Sequence, residues 1–196
     1  MAITSICGAL NAGQDMTCID SLVRKYAQQI VLMNKNDIDP ATIVKPVSTD
    51  ETCDYRVKFD LKSLKKGFRF SLNDSATIIK GFYDKSVDQY GNPTYKHSVK
   101  ILIMGVSEES KCILRALDKS SLVAALQIGN EIEIFGLDNG LTSGDYTFDV
   151  AEGGGAVQIT LASSDENLEA AIPYLYESTT PGGEIADFDS NFENLV

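Results

Sequence analysis

The residues of this sequence that are able to do chemistry are few and stand far apart. His97 is the only histidine, so a hydrolase triad would need it as the base. It shares one face of an alternating stretch with Val99 and Ile101, which favours a histidine of the core or of an interface. Glu131 and Glu133 fit one strand face, but such pairs arise by chance in so acidic a region. We therefore expect no enzyme activity and assign no catalytic residue.

No pattern in the sequence predicts a metal or cofactor site. The four cysteines form no C-x-x-C pair, and one histidine does not complete a usual zinc set, so we expect free thiols. Asp84, Ser86 and Asp88 are spaced as in a calcium loop, but glycine at position six and glutamate at position twelve are missing. Gly153-Gly154-Gly155 lacks the ending of a phosphate loop and indicates a flexible joint. The expected metal and cofactor content is none.

The distribution of charge along the chain excludes several classes of partner. The net charge is −11, and all 17 basic residues lie between Arg24 and Lys119. Residues 120–196 contain 14 acidic side chains and no basic one. Such a surface repels nucleic acid and anionic lipid, so we expect no specific nucleic-acid binding. It either solubilises the protein or prevents adhesion to nucleic acid that passes beside it. No apolar run approaches the roughly 18 residues that span a membrane.

The elements that position these residues centre on a packing unit between Tyr95 and Phe148. One helix is predicted within it, from Ser107 to Lys119, because Ser107 offers a hydroxyl cap and the glutamates after it suit the positive end of the helix dipole. The strands predicted around this helix are Tyr95–Met104, Leu122–Ile128 and Glu131–Leu137.

The segments before this unit also predict strands. Asp20 to Met33 fits an amphipathic helix or a strand, and we favour a strand in its second half. Tyr55–Lys62 and Phe68–Leu72 alternate cleanly and indicate an antiparallel hairpin with one wet face. A third strand is predicted at 77–83, with Gly81 as a possible bulge. The polar stretch from Asp84 to Pro93 is expected to be a loop at a hairpin tip.

The later segments complete a three-part organisation. Short strands are predicted at 146–150 and 156–162. We expect an irregular or extended N-terminal arm at 1–19, a β domain at 20–162 and an acidic C-terminal extension at 163–196. The extension is expected either to be a disordered tail or to dock on a neighbour through spaced apolar residues. These residues are Ile185, Phe188, Phe192 and Leu195.

Three stretches resemble the tail-tube-like virion structural proteins of tailed bacteriophages of Bacteroidetes hosts. One is the opening, Met1–Ile6 leading to the Met16–Ser21 segment with its Cys-x-Asp-Ser run. Another is the strand, helix, strand order around Ser107–Lys119. The third is Ile134–Leu141 followed by a late strand, Val157–Leu161. Together they extend loosely over most of residues 1–162.

The resemblance implies a β-barrel or sandwich with one flanking helix and extended terminal arms. It implies self-assembly into rings, expected to be hexameric, that stack into a tube within the virion, after synthesis in the host cytoplasm. An acidic lumen would let DNA slide without binding, and ring formation would cover exposed strand edges. A capsid decoration or head–tail ring protein would use the same kind of fold.

The surfaces expected to join subunits are the loop after Tyr83 and the terminal arms. The candidate interface residues are Asp84, Asp88, Tyr90, Tyr95, Ile185, Phe188 and Phe192. A carbohydrate- or surface-binding β module is an alternative function. That function would need an aromatic platform, for which Tyr83, Tyr90 and Tyr95 are available.

Overall fold

The fold is mainly β, as expected, and consists of two sheets with one main helix. The computed structural model describes residues 29–46, 55–71, 79–87, 90–104, 107–147 and 156–194. In spatial order, the six-stranded sheet contains β2 (Arg56–Val57), β10 (Tyr174–Tyr176), β7 (Glu131–Phe135), β6 (Leu122–Ile128), β1 (Gln29–Asn34) and β3 (Phe68–Ser71). The four-stranded sheet contains β4 (Lys80–Val87), β5 (Pro93–Met104), β9 (Ala156–Ala162) and β8 (Thr142–Ser143). The helices are α1 (Glu108–Leu117) and α2 (Glu184–Asp189), and Lys35–Asp37 form a short 3-10 helix. The described strands therefore form two separate sheets, as in a sandwich, and no closed barrel.

The inner core lies between the two sheets. It contains Ile30 and Leu32 of β1, Val99 and Ile101 of β5, and further side chains of β6, β7 and β9, all buried. Helix α1 closes it at one side through Leu117, with Ile113 and Leu114 packed against it. The burial of β9 alternates along the strand, because only one face of the four-stranded sheet is covered.

The outer core lies on the opposite face of the six-stranded sheet. Val31 and Met33 of β1 meet Val57, Phe59 and Leu61 there. The chain after β2 crosses this face before it enters β3, and it covers the sheet as it does so. Because both faces of the central strands are covered, β1 and β6 contain continuous apolar runs.

Helix α1 begins where the sequence predicted. The Ser107 hydroxyl accepts a hydrogen bond from the Ser110 backbone N–H at 3.1 Å, and Glu108 and Glu109 occupy the first turn. The helix ends at Leu117 rather than at Lys119. The strands predicted at 122–128 and 156–162 have the observed bounds, and β1 confirms the strand expected before Asn34.

The predicted hairpin between 55–62 and 68–72 is wrong. β2 and β3 lie at opposite edges of the six-stranded sheet, and each pairs with a different strand: β2 with β10, in parallel, and β3 with β1. The alternation itself is real, since Val57, Phe59 and Leu61 are buried. Alternation reports which face a segment buries, but it does not report which strand is its neighbour.

The expected acidic C-terminal extension is integrated into the domain from residue 163 to residue 194. β10 extends the six-stranded sheet beside β7, and α2 covers the outer core. The expected N-terminal arm at 1–19 and residues 148–150 of the strand predicted at 146–150 lie outside the described residues, and Tyr146 and Thr147 are not in a strand. Within the described ranges, no helix is long and apolar enough to span a membrane.

Candidate functional site

The most exposed regular element of the described chain is strand β4. It forms the outer edge of the four-stranded sheet, and all eight of its residues are exposed. It pairs along its whole length with β5, from Lys80 opposite Lys100 to Val87 opposite Pro93. The result is a hairpin whose tip lies beyond both sheets' cores. One edge of β4 has no strand beside it among the described residues.

Exposed apolar and aromatic side chains of this hairpin stand beside three charged residues of β4, Lys80, Asp84 and Lys85, of the kind that often protects an edge strand. Phe82 is 38% exposed, Tyr83 47%, Val87 60% and Tyr90, at the tip, 80%. An edge strand of this length with such side chains is a template for pairing with another chain. We name the outer side of β4, with Phe82, Tyr83, Val87 and the tip residue Tyr90, the β4 edge.

The base of the hairpin is fixed to the inner core at Gly81. The pairing of β4 with β5 runs through Gly81 without interruption, so the predicted bulge is absent. A Cβ atom placed on Gly81 would lie 2.5 Å from Cζ of Phe135, a contact that no real Cβ makes. Glycine is therefore required here because the buried ring of Phe135 lies directly against the backbone.

The predicted interface residues of the hairpin lie at different places in it. Asp84 belongs to β4, opposite Lys96, and not to a loop as expected, because β4 continues to Val87. Tyr90 is at the exposed tip, and Asp88 lies outside the described residues. Tyr95 is half-buried in β5, and its backbone forms a two-bond bridge with Glu169 at 2.8 and 2.9 Å.

The aromatic residues of the hairpin do not form a flat platform. The rings of Tyr83 and Tyr95 lie with their centroids 6.2 Å apart and their planes at 68°, which is an edge-to-face contact. Tyr83 makes a similar contact with the ring of His97. Stacking against a sugar ring needs an exposed face, and the edge-to-face pair offers less of one than coplanar rings would.

The C-terminal candidates belong to the protein's own core, which corrects the prediction that they dock on a neighbour. Phe188 is fully buried, Phe192 is 7% exposed, and Ile185 packs against the outer core. Arg69 holds this segment: its Nη2 donates to the Phe188 carbonyl at 2.6 Å, and its guanidinium lies 5.2 Å from the Phe188 ring centroid. Ile185 and Phe188 belong to α2, Phe192 follows the helix, and all three pack in the outer core of the same chain.

His97 is a core histidine, one of the two alternatives expected. It is 1% exposed, and each ring nitrogen has a backbone partner. Nδ1 accepts a hydrogen bond from the Gly136 N–H at 3.1 Å, and Nε2 lies 2.9 Å from the Ala171 carbonyl oxygen, to which it donates. This pattern requires a neutral ring with its proton on Nε2. Burial lowers the pKa of His97 to about 4, although the Ala171 carbonyl and the charge of Asp138 act in the opposite direction.

A buried carboxylate close to this histidine was missed by sequence reasoning. Glu169 is 1% exposed and accepts backbone N–H groups from Asp138 and Asn139, each at 2.9 Å. Burial raises the pKa of Glu169, and the two N–H bonds lower it. The Nζ atoms of Lys35 and Lys45 bind Asp138 at its carbonyl and its carboxylate, respectively. No motif marks Glu169, because its partners are backbone groups of a turn about thirty residues earlier in the chain.

The side chains of His97 and Glu169 hold backbone groups of loops through the hydrogen bonds described above. Glu131 is paired with Arg56 at 3.3 Å, and burial raises the pKa of Glu133. Within the described parts of the chain, no group of three metal-binding side chains occurs. Cys112 is a free, exposed thiol.

The basic and acidic halves of the sequence interleave in space. Five of the six ion pairs of the described residues join a base before residue 120 to an acid after it. Examples are Lys58–Glu177 at 3.0 Å and Lys96–Asp165 at 2.6 Å. The separation of charge along the sequence therefore does not produce a separate acidic half of the surface.

Comparisons with known proteins give no relative for this chain. It matches no protein-family model, no curated protein and no solved structure.

Proposed function

We propose that this chain is a structural protein of a tailed-bacteriophage virion, and that it is a tail-tube subunit that assembles into stacked rings. The observation that carries the proposal is the β4 edge, an eight-residue strand with exposed apolar side chains and no strand at its outer side among the described residues. Long exposed edge strands are a hazard for a monomer, and a closed ring of subunits removes them.

The hairpin is well placed to reach a second subunit. Residues 93–97 of β5 pair with β4, and they meet the chain after β9 through the Tyr95–Glu169 bridge and through the Ser163 N–H, which donates to the His97 carbonyl at 2.9 Å. Residues 98–104 pair with β9. The distal part of the hairpin therefore extends beyond the four-stranded sheet. In a heterologous contact, this edge binds a different surface of the next copy. Repetition of that contact generates a closed ring when the rotation from one copy to the next divides evenly into a full turn.

The negative charge of the subunit is compatible with a tube through which DNA passes, but it does not show which residues line that tube. The net charge of −11 disfavours adhesion to nucleic acid. Because five ion pairs neutralise acids of the second half, the repulsion is a property of the whole subunit more than of one face. The proposal assigns a structural role without catalysis or cofactor, and places the protein in the virion after synthesis in the host cytoplasm.

The test is the assembly state of the purified protein, by negative-stain electron microscopy and by mass in solution. Rings or tubes with a central hole are expected at high concentration. A 21.3 kDa monomer under all conditions would contradict the proposal. Discs without tubes would favour the head–tail ring or decoration role instead.

A pair of matched variants tests whether the β4 edge is the contact. Val87 and Val44 have the same side chain and nearly the same exposure, 60% and 59%, but only Val87 is on the hairpin. A lysine at an edge opposes strand pairing, so V87K is expected to raise the concentration needed for assembly at least about tenfold, whereas V44K leaves it unchanged. Equal assembly of both variants would refute a role for the β4 edge.

A further inference from the structure

The segment that follows β9 crosses the base of the hairpin formed by β4 and β5. We call residues 163–171 the strap. The Ser163 N–H donates to the His97 carbonyl at 2.9 Å, and Tyr95 and Glu169 exchange two backbone hydrogen bonds at 2.8 and 2.9 Å. Residues 98–104 of β5 pair with β9, so the strap takes over where that pairing ends. The strap therefore holds the hairpin beyond the end of β9.

The Glu169 side chain attaches this strap to the six-stranded sheet. The turn at 136–140 directly follows β7 of that sheet, and the two carboxylate oxygens of Glu169 accept the N–H groups of Asp138 and Asn139, each at 2.9 Å. The side-chain amide of Asn139 also donates to the Leu168 carbonyl at 2.7 Å. Glu169 is therefore bound to the four-stranded sheet by its backbone and to a turn of the six-stranded sheet by its side chain.

The buried environment makes this attachment specific. Glu169 is 1% exposed, and a buried carboxylate is costly unless its oxygens are hydrogen-bonded. Hydrogen bonds from N–H groups to an ionised carboxylate are short and strong. His97 of β5 binds the same two segments, because its ring is bonded to the Gly136 N–H and to the Ala171 carbonyl. Two buried side chains therefore hold the hairpin, the strap and the turn in one arrangement.

A small change at the base of the hairpin has a large effect on the β4 edge. His97 lies opposite Tyr83, and Pro93, four residues earlier in β5, lies opposite Val87. These four residues span about 13 Å, so a tilt of about 15° at His97 would move Val87 by about 3 Å. Contact residues of a binding surface must be held within about 0.5 Å and 10–20° of their productive geometry. The contacts at the base of the hairpin therefore decide whether the β4 edge is presented correctly.

We propose that Glu169 is the positioning residue of the β4 edge, because it holds the strap against the turn at 136–140 and so fixes the direction of the hairpin. The inference deepens the proposed function and rests on it where it predicts a change in assembly. The fixed direction of the hairpin is a property of the single subunit and is measured on the monomer.

The test measures a distance inside the folded protein in dilute solution, by pulsed electron paramagnetic resonance. Spin labels are placed at V87C, on the hairpin, and at V44C, where the backbone is bonded to Lys58 in both directions at 2.9 and 3.1 Å. The four native cysteines are replaced by serine, so that these two positions alone are labelled. Glutamine in E169Q keeps the size of the side chain but turns its NH2 group towards an N–H donor of the turn. We expect the distance distribution to become at least about twofold broader, because the base of the hairpin opens locally.

D165N is the matched control, since it makes the same change from carboxylate to amide in the same strap. The Asp165 side chain is 85% exposed and pairs with Lys96 at 2.6 Å, and exposed pairs contribute little to stability. Its distance distribution should stay as narrow as that of the protein with Glu169. A merely stabilising role of Glu169 would lower the free energy of unfolding without broadening the distribution in the folded protein. A narrow distribution in folded E169Q, or equal broadening in D165N, would overturn the inference.

A milder variant keeps the test decisive if E169Q does not fold. N139A removes the hydrogen bond to the Leu168 carbonyl, and it leaves the Glu169 carboxylate and both of its backbone donors in place. Because it loosens the same attachment of strap to turn, N139A should give a broader distance distribution than D165N. Equal distributions in these two variants would then overturn the inference.

Assembly of the unlabelled protein relates the direction of the hairpin to the proposed rings. E169Q leaves every residue of the β4 edge in place, so an increase of about tenfold or more in the concentration needed for assembly is expected from the altered direction of the hairpin. Broadening without any effect on assembly would overturn the positioning role. If the protein with Glu169 forms no rings, the proposed function fails, and the distance measurement still decides whether Glu169 fixes the hairpin.

Discussion

His97 couples the stability of the fold to pH, because its buried ring must stay neutral to keep both of its hydrogen bonds. Protonation of Nδ1 would place a second donor against the Gly136 N–H, at an N–N distance of 3.1 Å. The pKa of about 4 lies well below the ordinary value of 6.5, to which the ring returns when the chain unfolds. Between these two values the unfolded chain binds more protons than the folded one, so stability is complete above pH 6.5 and falls as the pH falls.

The magnitude follows from the two pKa values. With 6.5 in the unfolded chain and about 4 in the folded one, proton linkage at His97 lowers the free energy of unfolding by about 2 kcal/mol between pH 7 and pH 5. For a chain of this size that corresponds to a decrease in Tm of about 4 to 8 °C. Glu169 and Glu133 act in the opposite direction, because their raised pKa values favour the folded state as the pH falls towards their range.

A difference measurement isolates the histidine from these carboxyl groups. Glutamine in H97Q has an acceptor oxygen and a donor nitrogen but does not titrate, while Asp138, Glu169 and the other neighbours stay in place. Urea unfolding of both proteins at pH 7 and pH 5 should show a wild-type loss about 2 kcal/mol greater than that of H97Q. Parallel losses in the two proteins would refute the reasoning.

NMR spectroscopy can also measure the protonation of His97 directly, because the chain contains one histidine. Its ring protons give a single set of NMR signals, and their titration measures the pKa in the folded protein. A midpoint near 6.5 would show that the buried environment does not hold the ring neutral, whatever the unfolding data give.

Two further predictions test the packing around the hairpin and the C-terminus by urea unfolding. G81A should lower the free energy of unfolding by about 1 to 2 kcal/mol, because the new methyl group overlaps the Phe135 ring. The control G144A should leave it unchanged, because the atom nearest to the new methyl group would be 3.4 Å away. Equal effects of the two variants would refute the close approach of Gly81 to Phe135. F188A should lower the free energy of unfolding by about 3 to 5 kcal/mol, because the Phe188 ring is fully buried. F68A should lower it by less than about 1 kcal/mol, because Phe68 is 56% exposed. A small effect of F188A would show that residues 184–189 are not part of the core.

Sequence patterns predicted individual elements well where local chemistry decides the structure. The hydroxyl cap and acidic first turn at Ser107 are local, and so is the alternation of β9, and both are observed. The long apolar runs of β1 and β6 also carried a signal that both faces of these strands are covered. The pattern of apolar residues in the sequence identifies such runs as strands, but it does not show which segments of the chain cover them.

Partner choice over long distances was the part that the sequence did not predict. β3 follows β2 along the chain, yet it pairs with β1, because β1 offers an apolar central strand and the segment between β2 and β3 is needed to cover the outer core. In the same way, Glu169 serves as an acceptor for a turn about thirty residues earlier. Neither the pairing of β3 with β1 nor the hydrogen bonds of Glu169 can be predicted from the spacing of residues in the sequence.

The C-terminal residues show how an acidic composition misleads. Residues 163–194 contain many acids, but Tyr174, Tyr176 and Phe188 are buried, and the hydroxyl of Tyr176 donates to Asp187 at 2.9 Å. Apart from the buried Glu169, the acids lie towards the surface of a segment in which these apolar residues face inward. Composition averages over these two faces, and therefore predicted a tail where there is a strand and a helix.

The separation of the core from the β4 edge has a consequence for any assembly. Both faces of the six-stranded sheet are covered by the chain itself, and apart from Gly81 the exposed strand β4 contributes little to either core. Substitutions at Val87 are therefore expected to change self-association while the free energy of unfolding of the monomer changes by less than about 0.5 kcal/mol. If V87K lowered stability and assembly together, the hairpin would be part of the folding unit, and its exposure would not indicate a contact surface.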